Sequence, residues 1–190
     1  ATGAASDCFN PALAQVGTTY RWDARIVGAA TGTTTFDATV TRTTTFEGTA
    51  GLAETEAAIT QSVQSGGNTF TGTSTLLDYA QVGGTTLTQY GQVTTVTAPQ
   101  ASTTRSVWQP PRADTRFALA VGASVDVAWT TNDTTPPGTG AVQTTARNNR
   151  ITYRGQESVT VPAGTLRACR FEIVETPGNS ERIEWLQVGT

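Results

Sequence analysis

The side chains able to do chemistry in this chain are a sparse set: two distant cysteines, Cys8 and Cys169, fifteen carboxylates and twelve arginines, with no histidine and no lysine. Without an imidazole, Ser-His-Asp and Cys-His devices are excluded, and so is any imidazole-ligated metal site. No G-x-S-x-G elbow occurs, and no Walker-type loop or G-x-G-x-x-G follows a strand pattern. Carboxylate pairs at Glu54 with Glu56, Glu172 with Glu175, and Glu181 with Glu184 have the residue type for glycoside hydrolysis. That chemistry needs two acids about 5 or about 6.5 to 9.5 Å apart across the scissile bond. Residues 54 and 56 share a strand face in extended chain, as do most surface carboxylates of β-proteins, so all three pairs are expected to be solvated surface. Asp133, between Asn132 and Thr134, stands alone where a tight calcium site gathers several oxygen donors. The expectation is a non-enzymatic protein with no catalytic residue, no metal site and no cofactor.

Neither cysteine lies in a C-x-x-C pair, which argues against thiolate metal binding. The opening Ala1-Thr-Gly-Ala-Ala-Ser resembles the run left after a signal-peptidase cut, so the chain is expected to be extracytoplasmic, whether secreted, on the cell surface or in the periplasm. In that setting a disulfide is the default for Cys8 and Cys169, two free thiols or a reactive site being the alternatives. Closing so long a loop restricts the unfolded chain by about 4 to 5 kcal/mol. No stretch approaches the roughly 18 apolar residues of a membrane-spanning helix. A net charge of −3 without any basic run excludes nucleic acid as a partner.

The elements that must carry these residues read as strands. Threonine fills 40 of 190 positions, and its branched side chain suits half-exposed strands. From Thr33 to Glu47 the even positions Phe36, Ala38, Val40 and Phe46 alternate with Thr, Asp and Glu; Tyr20, Trp22, Ala24 and Ile26 alternate with Arg21, Asp23 and Arg25; and Val125, Val127 and Trp129 flank Asp126. Turn residues separate the runs at Gly28 to Gly32, Gly48 to Gly51, Ser65 to Asn68, Gly83-Gly84, Pro162 to Gly164 and Pro177 to Asn179. Leu52 to Gln64 carries helix-forming residues, yet Ile59, Gln61 and Val63 alternate, and a strand is predicted. Ala98 to Asp114, with Trp108-Gln-Pro-Pro111, and Thr130 to Gly140 are predicted to be long surface loops, with Trp108 exposed for contact. The fold expected is one all-β domain over 1–190, a single antiparallel meander forming a curved half-barrel or sandwich. Its N-terminal segment, 1–17, is tied down by Cys8.

The aromatics Tyr20, Trp22, Phe36, Phe46, Tyr79, Tyr90, Trp129, Phe171 and Trp185 fall mostly on the apolar positions. They serve either as core or as the lining of an apolar groove. The run Glu157-Ser-Val-Thr-Val-Pro162-Ala-Gly164-Thr-Leu-Arg-Ala-Cys169, with the opening Cys8-Phe-Asn-Pro11, resembles uncharacterised exported β-proteins of proteobacteria. These are similar in outline to lipoprotein-carrier-like half-barrels, in which a curved sheet wraps an apolar groove. The resemblance implies the Cys8–Cys169 pairing and no catalytic residue. It also implies a further strand beyond Trp185, where this sequence stops at Thr190.

Two functions follow as expectations. Strand edges are ordinarily blunted by charge, lysine above all, and this chain has none. A structural subunit that associates with itself through such edges is expected first, with Ile183, Trp185, Leu186 and Val188 as the assembly strand. The alternative is a periplasmic or secreted module holding an apolar, lipid-like ligand in a half-barrel groove, a reading that rests on fold analogy.

Overall fold

The structure, a computed structural model, describes residues 3–26, 30–161, 164–178 and 180–189. The turns expected at Gly28, at Pro162-Ala163 and at Asn179 lie outside the described residues. Ten strands follow one another: β1 (Thr19–Ile26), β2 (Thr31–Phe46), β3 (Thr49–Ser65), β4 (Asn68–Gly83), β5 (Thr86–Ala98), β6 (Ser102–Asp114), β7 (Ser124–Thr134), β8 (Val142–Val161), β9 (Gly164–Thr176) and β10 (Ser180–Gln187). Each pairs antiparallel with its neighbours in sequence, giving one sheet in the order β1 to β10. The sheet does not close into a barrel.

Local chemistry explains the connections. Ser65 pairs directly with Asn68, so Gly66-Gly67 form a two-residue loop, and both have positive φ (57° and 79°). That is the primed turn whose twist matches the flanking strands. Between β2 and β3 the same job is done by Glu47 and Gly48, at φ 50° and 79°; Glu47 is a rarer choice, and it forms an ion pair with Arg105.

The Thr33 to Glu47 alternation hides a break. Val40 faces Thr55 while Arg42 faces Glu54, so Thr41 is an extra residue in β2. An added residue moves every later side chain to the other face. Ala38 and Val40 are therefore buried on one face and Phe46 on the opposite one. Two separate cores result. Phe46, Leu52 and Tyr79 cluster with Val93 and Val107, and the Phe46 and Tyr79 rings stack at 4.1 Å. The larger core joins Val127, Ile151, Tyr153, Phe171 and Ile173 to Ala5, Cys8 and Phe117.

That larger core is roofed by two pieces of irregular chain. A 3-10 helix over Ala5–Cys8 packs its buried Ala5 and Cys8 on β8 and β9, and the Cys8–Cys169 disulfide fixes it there. Around the bond, the Tyr153 hydroxyl donates to the Gly3 carbonyl at 3.0 Å, and Gln156 donates to the Ala4 carbonyl and to Asp7 Oδ2 at 3.1 and 2.8 Å. The second piece is the β6–β7 connection, whose short 3-10 helix Arg116–Ala118 inserts Phe117 between Phe9 and Phe171.

Two expected loops are strands. Leu52 to Gln64 lies within β3 as predicted, but most of Ala98 to Asp114 is β6, and Thr130 to Thr134 completes β7. The Pro110-Pro111 pair misled because proline cannot donate to a ladder. Here it needs no ladder partner: β6–β7 pairing stops at Gln109, and on the β5 side residues 108–111 face only the Tyr90 irregularity. Trp108, expected to be exposed, is only 8% exposed, with its ring 6.3 Å from that of Trp129.

The Cys8–Cys169 loop has a sequence separation of 161, which in a chain-entropy account corresponds to about 5 kcal/mol. Cys169→Ser is expected to retain the far-ultraviolet signature of strands and to lose several kcal/mol in urea unfolding. Equal melting temperatures for the oxidised and reduced protein would contradict the stapling role.

Candidate functional site

Strands β1 and β10 each have a neighbour on one side only, and their unpaired sides are the most distinctive surface of the sheet. Hydrogen-bond parity identifies which backbone groups face outward. The Val40 amide donates to Thr18 O at one end of the β1–β2 ladder, and the Val188 amide donates to Arg167 O at one end of β9–β10. Antiparallel ladders alternate bonded and non-bonded residues, so even-numbered residues of both outer strands bond inward. Arg21, Asp23 and Arg25 on β1, and Glu181, Ile183 and Trp185 on β10, point their N–H and C=O groups away from the sheet.

Large apolar side chains are exposed along these edges. Trp22 is 50% exposed, Ile183 43% and Trp185 44%. Trp22 stacks on Phe36 with ring centroids 3.9 Å apart, and the Trp185 indole donates to Glu157 at 2.6 Å, so both rings are held in place. Leu186 and Val188 turn the other way and pack on the larger core. The four residues expected to form an assembly strand thus divide into an outward pair, Ile183 and Trp185, and an inward pair.

Charge differs between the edges. Arg21 lies 3.5 Å from both Asp23 and Asp37, whereas Arg25 has no ion-pair or hydrogen-bond partner among the described residues. On β10, Arg182 and Glu184 are bonded to each other at 2.8 Å, and Glu181 has no partner among the described residues.

Behind β10 lies a buried ion cluster that the sequence reading missed. Arg116, 5% exposed, bonds Asp114 through Nε at 2.9 and 2.8 Å and pairs with Glu184. Its guanidinium also sits 5.5 Å from the centre of the Phe171 ring. Burial alone would lower the Arg116 pKa, but the two carboxylates outweigh it and raise it. Burial likewise opposes ionisation of Glu184, and Arg116 with Arg182 overcomes this to hold the carboxyl below its ordinary value. The cluster ties the β6–β7 connection to the last strand, so the sheet curls across β6 to β10. Its signal in the sequence was Arg112-Ala-Asp114-Thr-Arg116, three charges within five residues at the end of, and just past, the segment read as loop.

A second polar relay runs under the other half of the sheet. Gln89 donates to Asp78 at 3.1 Å and accepts from Arg112 at 3.1 Å, and Arg112 lies 5.0 Å over the Trp129 ring. Burial pushes the Asp78 carboxyl from 3.8 up to about 6, against the lowering effect of Gln89 and Arg112.

The remaining sequence candidates do not converge. Glu54 is buried and held by Arg42 at 2.9 Å, while Glu56 is exposed. Residues three apart on a strand face opposite ways, which separates Glu172 from Glu175 and Glu181 from Glu184. Glu172 is bonded by Arg154 and Arg170 at 2.7 and 2.9 Å. Asp133 lines a shallow cavity of about 230 Å³ with Trp108, Trp129, Arg147 and Asn149. No group of three or more metal-ligating side chains occurs among the described residues. Of the aromatics, Phe46, Tyr79 and Phe171 are buried, and Tyr20, Phe36, Tyr90 and Trp129 are half-buried within the two packed faces; they do not gather around one groove. Among the described residues no helix is long and apolar enough to cross a membrane.

No family profile, curated protein or solved structure matches the chain. The geometry of the edges therefore carries the functional argument alone.

Two measurements check the buried charges. Breaking a buried pair strands its partner at a cost of about 3 to 5 kcal/mol, so Arg116→Ala is expected to lose that much in urea unfolding; a loss under about 1 kcal/mol would mark the cluster as solvated. For Asp78, folding raises the pKa, so its proton stabilises the fold fully below about 3.8, and that contribution is lost as pH rises to about 6. Asp78→Asn is expected to raise the melting temperature relative to the parent chain more at pH 7 than at pH 4. An equal difference at both values would contradict the raised pKa.

Proposed function

We propose that this chain is a non-enzymatic, extracytoplasmic structural subunit that associates with itself through the edges of its sheet. One observation carries the reading: a single open sheet ends on two strands of eight residues each, both lacking an outer partner and both bearing an ordered, half-exposed tryptophan. Sheet edges are commonly guarded by lysine or proline, because unpaired N–H and C=O groups template another strand. Neither β1 nor β10 carries lysine or proline.

The packing supports assembly over carriage of an apolar ligand. Apolar side chains fill two cores on opposite faces, and the cavity beside Trp108 has Asp133, Arg147 and Glu175 in its lining, which suits an acyl chain poorly. The Cys8–Cys169 bond fits a protein that works in an oxidising compartment.

Sedimentation velocity on the untagged, oxidised chain, followed by negative-stain microscopy, tests the proposal. The expected result is concentration-dependent growth beyond the monomer of 19.8 kDa, with filaments or ribbons on the grid. A single monomeric species up to about millimolar concentration, far above typical affinities for specific association, would refute it.

A further inference from the structure

We infer that the subunits join head to tail, β10 of one copy pairing antiparallel with β1 of the next, Glu181 opposite Arg25, so that growth is polar and open-ended. This rests on the self-association reading and adds the partner surface, the register and the polarity.

Strand number sets the direction. In a meander each strand reverses the last, so with ten strands β1 and β10 run oppositely. A second copy placed beside β10 in the same orientation presents its β1 antiparallel, continuing the alternation across the junction. The pairing then repeats at every new β10, and a repeated heterologous contact makes a filament when the rotation does not close.

Backbone parity limits the register. On both edges the outward N–H and C=O groups belong to odd-numbered residues, so the junction must set odd against odd. These residues also lie on one face of the sheet: Arg21 and Arg25 are cross-strand neighbours of Asp37 and Thr33, and Trp185 of Arg170, all on the face that carries Glu157 and Glu172. Directly opposed side chains in an antiparallel pair share a face, so the junction preserves that surface too.

Charge then selects among the permitted registers. Setting Glu181 against Arg25 overlaps Ser180–Gln187 with Ile26–Thr19 over their whole lengths. It pairs the carboxylate and the guanidinium that have no partner among the described residues, and it brings Arg21 to Trp185, where a guanidinium on an indole is favourable. Sliding by two residues toward Asp23 sets Glu181 against a like charge, which is unfavourable directly across a ladder. A two-fold β1–β1 contact leaves Glu181 unpaired and β10 open.

Edge-blocked variants test this. Asp23→Pro and Ile183→Pro each remove an outward N–H that the ladder to the neighbouring strand does not use, and unchanged melting temperatures verify that each folds. Each variant alone is expected to stop growing, and an equimolar mixture is expected to form a 1:1 dimer by sedimentation, one blocked end at each extremity. As a second measurement, Arg25→Glu and Glu181→Arg are each expected to weaken assembly about tenfold or more in critical concentration, and the double variant to recover it. If the parent chain associates but Ile183→Pro alone still forms dimers, or the double charge variant shows no recovery, the head-to-tail register is overturned and self-association stands. A parent chain that stays monomeric overturns both.

Discussion

Backbone N–H and C=O groups removed from water must find partners, and the whole of this architecture is one answer to that demand. With no helix beyond short 3-10 pieces among the described residues, the polar backbone is satisfied almost entirely between strands, and the meander gives each interior strand a partner on both sides. The solution is local and inexpensive in loop entropy, since consecutive strands are joined by turns such as Gly66-Gly67. It leaves a residue at the two ends of the series, where half of the groups still face solvent. The candidate site is that residue, and its chemistry is of hydrogen bonding and charge.

A sheet this long has more apolar surface than one continuous core can cover, and the chain divides it. The extra residue at Thr41 sends Phe46 to the face opposite Val40, creating the small Phe46–Leu52–Tyr79 cluster. The opposite face of the second half is sealed by imported chain: the Ala5–Cys8 turn and the Arg116–Ala118 turn. Buried charges replace apolar filling at the join. Arg116 between Asp114 and Glu184 is oriented by geometry that no aliphatic side chain would impose, and this orientation fixes how the last strand sits.

Much of this was legible in the sequence where a single local signal was involved. Alternation identified β1, β2 and β7, glycine pairs identified the hairpins, and two lone cysteines in a histidine-free chain identified the disulfide. The failures share a physical cause, because each depends on what a segment has beside it. Pro110 and Pro111 break a strand only if a neighbour needs their amides, and nothing in the residue string reveals that β7 has already parted from β6. Trp108 was read as exposed because it adjoins those prolines, yet it packs against Trp129. The edge at β1 was missed as a site although Tyr20 to Ile26 was recognised as a strand, since being outermost belongs to the sheet order and not to the strand. Arg116 was missed because its partner Glu184 is 68 residues away.

The disulfide has a mechanical meaning beyond its thermodynamic one. It joins the segment before β1 to β9, so the covalent ring from Cys8 to Cys169 encloses every strand from β1 to β8. Tension applied through the chain on either side of that ring travels across the sulfur bridge instead of along the enclosed strands. Under load those strands cannot be drawn out in sequence; only β10 and the part of β9 after Cys169, outside the ring, can peel. A subunit wired this way has its weakest element at an outer edge, where a second chain would bear directly on it, and the remainder of the sheet is shielded from pulling by a single covalent short circuit.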